Sequence, residues 1–168
     1  MSRAFVKEAD GEQPDDVPER PQSPHPNYVT ASGLQSLQRQ YAKLQEERHK
    51  LNEGGEPELL DKEHLRLVER DLRYLQERIE RAILIDPVSQ PADRVGFGAL
   101  VETVDDNDEK RKFRIVGEDE ADPKHDRISW VSPLAKALTG AAVGDMVVWK
   151  RPTGDLQLEI LSIKYSKE

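Results

Sequence analysis

Cysteine is absent from the 168-residue chain, which removes disulfide frameworks, thiolate metal sites and thiol nucleophiles. Aromatic residues are scarce, with three Phe, two Trp and four Tyr. Hydrophobic residues make up 36% and charged residues 35%, so part of the chain is expected to stay extended and solvated. Positive charge is in deficit as well. Lys and Arg number 25 against 33 Asp and Glu, a net charge of −8, and an acidic chain does not hold DNA by releasing counterions. No apolar run approaches the roughly 18 residues that cross a bilayer, and no signal-peptide pattern opens the chain. The expectation is a soluble, cytoplasmic protein.

Catalytic motifs are equally scarce. His25, His49, His64 and His125 lie apart in sequence, and only His49 and His64 stand where two imidazoles could meet. Solvated helix-face histidines account for that pair better than a metal site does. Ser132 has no histidine placed to activate it, and the glycine-containing stretches lack the Gly-Lys-Ser/Thr ending of a phosphate-binding loop. No self-contained active site is visible, and the chain is read as a non-enzyme.

What is present divides into three parts. Residues 1–29 form an acidic, proline-rich tail, with Pro14, Pro18, Pro21, Pro24 and Pro26, and read as disordered. Phe5 and Val6 are its one notable apolar pair. Residues 30–86 carry two heptad seams. Thr30 suits a helix N-cap, and Leu34, Leu37, Tyr41, Leu44, Arg48 and Leu51 follow at alternating spacings of three and four. Gly54-Gly55 stops that helix, and Pro57 suits the first position of the next. Leu65, Val68, Leu72, Leu75, Ile79 and Ala82 repeat the spacing until Asp86-Pro87 ends it. Two apolar seams joined by so short a turn predict an antiparallel hairpin rather than a dimerising coiled coil, because each seam meets the other at high local concentration. At ~1.5 Å per residue the first helix, from about Ala31 to Leu51, would be roughly 31 Å long and project as a finger.

From residue 87 to 168 the period becomes two. Val95–Val104, Lys112–Gly117, Arg127–Val131, Met146–Lys150 and Leu156–Tyr165 read as strands, and Ser132-Pro133 opens a short helix over Leu134–Leu138. The fold class is therefore α+β: a helical hairpin followed by an antiparallel sheet domain with one helix on it. The turn of the hairpin gathers Glu53, Glu56, Glu58, Asp61 and Glu63. Carboxylates suit a hard divalent cation, yet a polar turn and the favourable charge of a helix N-terminus explain them better.

Phe97-Gly98-Ala99, Phe113-Arg114-Ile115-Val116-Gly117, Glu118 to Asp122, Ile128 to Leu138 and Val143-Gly144-Asp145 together closely resemble the Gre family of bacterial transcription elongation factors. Arg73-Tyr74-Leu75 and Ile85-Asp86 look more like GreB than GreA. The resemblance runs from about Thr30 to Tyr165. It implies an FKBP-like C-terminal domain without isomerase activity, and bacterial RNA polymerase as the partner of a monomer. It also implies docking at the rim of the polymerase secondary channel with the coiled coil inserted, so that nucleic acid is met only through that complex. The family's Ser-Pro loop falls on Ser132 and Pro133, with Trp130, Val131 and Leu134 beside them. Family members that stimulate transcript cleavage carry a Gly-Asp-x-x-Glu-Asn tip whose acids share a magnesium ion with the polymerase. Here Leu51-Asn52-Glu53-Gly54-Gly55-Glu56-Pro57-Glu58 stands instead, on a hairpin shorter by roughly a heptad per helix, in the manner of the relative Rnk. The expectation is an elongation regulator with no cofactor of its own that occupies the channel. The alternatives are a cleavage factor using Glu53, Glu56, Glu58 or Asp61, and a coiled-coil adaptor.

Overall fold

A computed structural model describes residues 17–56 and 58–166. Phe5, Val6 and Pro57 lie outside the described residues. The elements are β1 (Asn27–Val29), α1 (Ala31–Asn52), α2 (Leu59–Glu80), β2 (Ala82–Leu84), β3 (Leu100–Asp105), β4 (Lys110–Val116), β5 (Arg127–Ser129), α3 (Pro133–Leu138), β6 (Met146–Trp149) and β7 (Leu156–Lys164). No described helix is long and apolar enough to cross a membrane.

The hairpin forms as the heptads require. Thr30 caps α1 through its hydroxyl, which accepts from the Gly33 amide. Each helix has 22 residues, or about 33 Å. Leu37 on α1 and Val68, Leu72 and Leu75 on α2 are buried, flanked by Leu34, Tyr41, Leu44 and Ile79. Burial is concentrated at the base of the finger. Towards the turn, Leu51 and Leu65 are only half-buried and Arg48 is exposed. The seam therefore grips the root hardest.

Two sequence expectations are corrected at that root. The helical spacing carried α2 on to Ala82, but α2 ends at Glu80, and Ala82–Leu84 becomes a strand. It pairs in parallel with Asn27–Val29, so the end of the segment expected to be a disordered tail is an ordered strand. An Ala-Ile-Leu-Ile run has good strand propensity, and a backbone partner beside it decides the outcome. Ala82 still packs on the hairpin cluster, keeping its seam role from a strand. The described chain before β1 also lies along α2. Glu19 accepts two hydrogen bonds from the Arg73 guanidinium (3.0 and 2.6 Å), which holds its carboxyl below the usual carboxylate range. Arg20 stacks over the Tyr74 ring at 3.8 Å, and burial pushes the Tyr74 phenol up. The Gln22 amide donates to the Tyr74 carbonyl at 3.2 Å.

The second body is a five-stranded sheet in the order β5-β4-β3-β7-β6. It is mixed rather than antiparallel, because β5 runs parallel to β4. The chain between them, residues 117–126, passes through two short 3-10 turns at Glu118–Glu120 and Pro123–His125, which carry it back to start β5 from the same end. The strand expected from Val95 begins only at Leu100, with Val95 and Ala99 buried in the approach to it. Val101, Phe113, Ile115, Leu158 and Ile160 on the strands and Leu134, Ala135 and Leu138 on α3 make the core.

Finger and sheet domain meet at a polar joint. Arg78, fully buried, donates to Asp119 from Nε (2.8 Å) and Nη2 (2.7 Å) and to the Asn27 side-chain carbonyl (2.7 Å). Asn27 returns a 2.6 Å bond to the Arg78 carbonyl. Beside this, the Glu120 carboxylate accepts from the Thr30 hydroxyl, the Thr30 amide (3.1 Å) and the Gly117 amide (3.0 Å). A Cβ on Gly33 would overlap that carboxylate. Gly33→Ala is therefore expected to destabilise the protein by about 1–3 kcal/mol through this clash, against the roughly 1 kcal/mol that alanine normally gains inside a helix. Thermal unfolding reads the sign, and a rise in Tm would refute the close approach.

Candidate functional site

Two surfaces hold the residues singled out by sequence: the free end of the finger, and the loop entering α3.

At the finger's end, Gly54 (φ 103°) and Gly55 (φ 91°) adopt the left-handed conformation that lets the chain reverse. Glu53 closes α1, its amide donating to the carbonyls of His49 (3.1 Å) and Lys50 (3.3 Å). Glu58 is the N-cap of α2 without a side-chain hydrogen bond, and Asp61 lies in the first turn of that helix. Lys50, Leu51, Glu53, Gly54, Gly55, Glu56, Glu58 and Asp61 surround one open concavity. The four tip acids are thus brought to one place. Among the described residues, however, no three His, Asp or Glu side chains converge as a metal cage.

His49 and His64 do not form a pair. His49 Nε2 lies 2.8 Å from Glu53, and His64 Nε2 lies 2.6 Å from Glu47 across the hairpin. Periodicity did not single out Leu59 and Leu60, because both precede the first seam residue of α2. They are 74% and 75% exposed, the highest values among the exposed large hydrophobics.

At the other surface, Trp130 is half-buried rather than prominent. Its amide donates to the Val116 carbonyl at 2.9 Å. The indole meets the Tyr28 ring edge-on at 4.8 Å between centroids and the His25 ring at 5.8 Å, and Tyr28 also touches Phe97 at 6.0 Å. The indole N–H is buried without a hydrogen-bond partner among the described residues. Val131 is half-buried, its amide donating to the Ser129 hydroxyl at 3.3 Å. Ser132 caps α3, its hydroxyl accepting from the Ala135 amide at 3.2 Å. Pro133, the first residue of α3, is exposed. Leu134 needs correcting as a surface contact: it is 4% exposed and faces the sheet core, so it supports the loop from beneath.

Sequence reasoning missed the joint itself. Its signal was the run Glu118-Asp119-Glu120 directly after a strand and a glycine. Three acids close together look like a solvated turn until one buried arginine and one helix N-terminus are found to use two of them. On the outer side of the joint, His125 Nδ1 lies 2.5 Å from Asp122, and that hydrogen bond holds the Asp122 carboxyl below its ordinary range.

Sequence comparison finds relatives over most of the chain. The family model described as the C-terminal domain of transcription elongation factor GreA/GreB matches residues 90–165. Transcription elongation factor GreB of Neisseria meningitidis serogroup B is 36% identical over 156 residues, covering 84% of this chain and 95% of that protein. The chain belongs to the GreA/GreB family of transcription elongation factors. GreA of Nitratiruptor is 34% identical over 151 residues, covering 82% and 92%, so the family match extends to both named branches. Among solved structures, Gfh1 of Thermus thermophilus aligns at 21% identity with a TM-score of 0.40, over 83% of this chain and 99% of that one. In this GreA/GreB protein the matched region takes in the sheet domain, α3 and the Trp130–Leu134 loop.

Proposed function

We propose that this Gre-family protein is a monomeric regulator of bacterial RNA polymerase, acting in the cytoplasm. Its sheet domain docks at the secondary-channel rim through the Trp130–Pro133 loop, and its finger enters the channel without stimulating transcript cleavage. The observation that carries this reading is the finger: two 22-residue helices ending in a free turn, fixed to the sheet domain through a buried arginine. Such an object occupies a channel while its base holds the rim.

Two features support occupation over cleavage. The tip lacks the Gly-Asp-x-x-Glu-Asn motif, and its acids spread over Glu53 to Asp61, where no three acids converge as a cation cage among the described residues. The GreB match also spans 156 positions but only 84% of the 168 residues, or about 141. About 15 positions therefore lack a counterpart in this chain, a number that the loss of two heptads would account for. A heptad is about 10 Å of reach, whereas a metal ligand tolerates errors of tenths of an ångström. The magnesium ion in question is the polymerase's own.

The second reading, a cleavage factor, draws on the meeting of Glu53, Glu56, Glu58 and Asp61 around one concavity. Backtracked elongation complexes separate the two. The expected result is no acceleration of transcript cleavage above the polymerase's own rate, together with slowed nucleotide addition. Acceleration that disappears when Glu53, Glu56 and Glu58 are all changed to Ala would establish the cleavage reading instead. Pro133→Ala should weaken binding to core polymerase severalfold with an unchanged Tm. Failure of the wild-type protein to bind core polymerase would leave a coiled-coil adaptor as the reading.

A further inference from the structure

Among the described residues, the most exposed large hydrophobics are not on the sheet domain but at the leading end of the finger. Leu59 and Leu60 open α2 with three-quarters of their surface in water, where adjacent leucines have no seam partner to cover them. They sit among carboxylates. The side chains of Glu56, Glu58 and Asp61 make no hydrogen bond or ion pair among the described residues, and the Glu53 carboxylate meets only His49 among them. Among the described residues, nothing lies within 4 Å of where a Cβ on Gly54 or Gly55 would stand, so the turn beside the leucines is open.

We infer that Leu59 and Leu60 form the finger's own contact with its partner: an apolar plug with an acidic collar, which enters a basic-rimmed apolar recess of the polymerase along the path of the finger. This rests on the polymerase reading above and deepens it. The collar selects the occupant. A second copy would bring a second acidic tip against the first, and an anionic membrane would repel the same charges. A protein recess with apolar floor and basic rim satisfies both the leucines and the collar. Apolar contact also tolerates displacement of an ångström, as metal coordination does not, so a finger too short to ligate an ion still has something to dock. The tip then works by contact with protein, not by chemistry at a cation.

Full-length protein labelled on the sheet domain, titrated with core RNA polymerase, tests this directly. Leu59→Ser combined with Leu60→Ser should weaken binding about tenfold or more, whereas Leu59→Met with Leu60→Met should stay within about threefold of wild type. Both pairs lie outside the buried seam, and unchanged far-UV helicity confirms that the finger persists. Changing Glu53, Glu56, Glu58 and Asp61 together to their amides should lower the association rate and its salt dependence. Wild-type binding that the serine pair leaves unaltered would overturn the plug while sparing the polymerase reading. No binding by the wild-type protein would overturn both.

Discussion

Arg78→Ala should cost about 3–5 kcal/mol of folding stability, the range for removing one member of a buried ion pair. Two consequences combine. Asp119 loses two charge-assisted bonds, and the Asn27 side-chain carbonyl loses its guanidinium donor. Glu118, 3.9 Å from the same guanidinium, is left beside an uncompensated carboxylate. At roughly 2–4 °C per kcal/mol for a chain of this size, Tm should fall by about 6–20 °C. The fall should shrink in an Arg78→Met, Asp119→Asn background, because replacing both partners removes the stranded charge that makes the single change severe. A Tm within about 1 °C of wild type for Arg78→Ala would show that finger and sheet domain are held by other means. Under the function proposed above the variant matters more than its stability suggests: a finger loosened at its root no longer points in one direction, so the expected slowing of nucleotide addition should weaken even at temperatures where the chain remains folded.

Leu72→Asp addresses the finger itself. Leu72 is 4% exposed in the middle of the α2 seam, and its neighbours Val68 and Leu75 are also buried. A carboxylate there has no cationic partner in the seam and leaves a gap where the leucine was. The combined penalty is about 3–5 kcal/mol. A hairpin of two 22-residue helices has little stability to spare without its seam, since most helical stability in proteins comes from packing an apolar face. The expected outcome is a large loss of ellipticity at 222 nm with the sheet domain still folded. That survival is read in the fluorescence of Trp149, which packs against the sheet core beside Phe113. Unchanged helicity would refute the intramolecular seam.

How much of this was legible in the sequence depends on which interactions are local. The finger was, because a heptad pattern and a Gly-Gly turn act within a few residues of themselves. The Ser132 cap and Pro133 start of α3 were, for the same reason. The direction of β5 was not, since it depends on how residues 117–126 travel rather than on the alternation of Arg127–Ser129. Nor was the order of residues 17–29 legible. A stretch with so many prolines cannot bury much surface alone, but α2 offers Tyr74 and Arg73 as ready partners, and β2 offers a backbone. At the site, the tip acids and the Ser-Pro loop were found by residue type and resemblance. Leu59 and Leu60 escaped because periodicity identifies apolar residues that face a partner within the chain, and among the described residues these two stay largely exposed.

The parallel ribbon of β1 and β2 joins the two strands that enter and leave the finger, with Ile85 adding a 3.0 Å bond to the Val29 carbonyl. The two legs of the hairpin are thereby stitched at the root by backbone hydrogen bonds, whereas at the far end they are joined by the Gly54-Gly55 turn and the His64–Glu47 contact. The buried seam also thins towards that turn, so loosening costs least there. The free end is thus the part most able to adapt to a surface it meets, while the part that sets its aim is clamped.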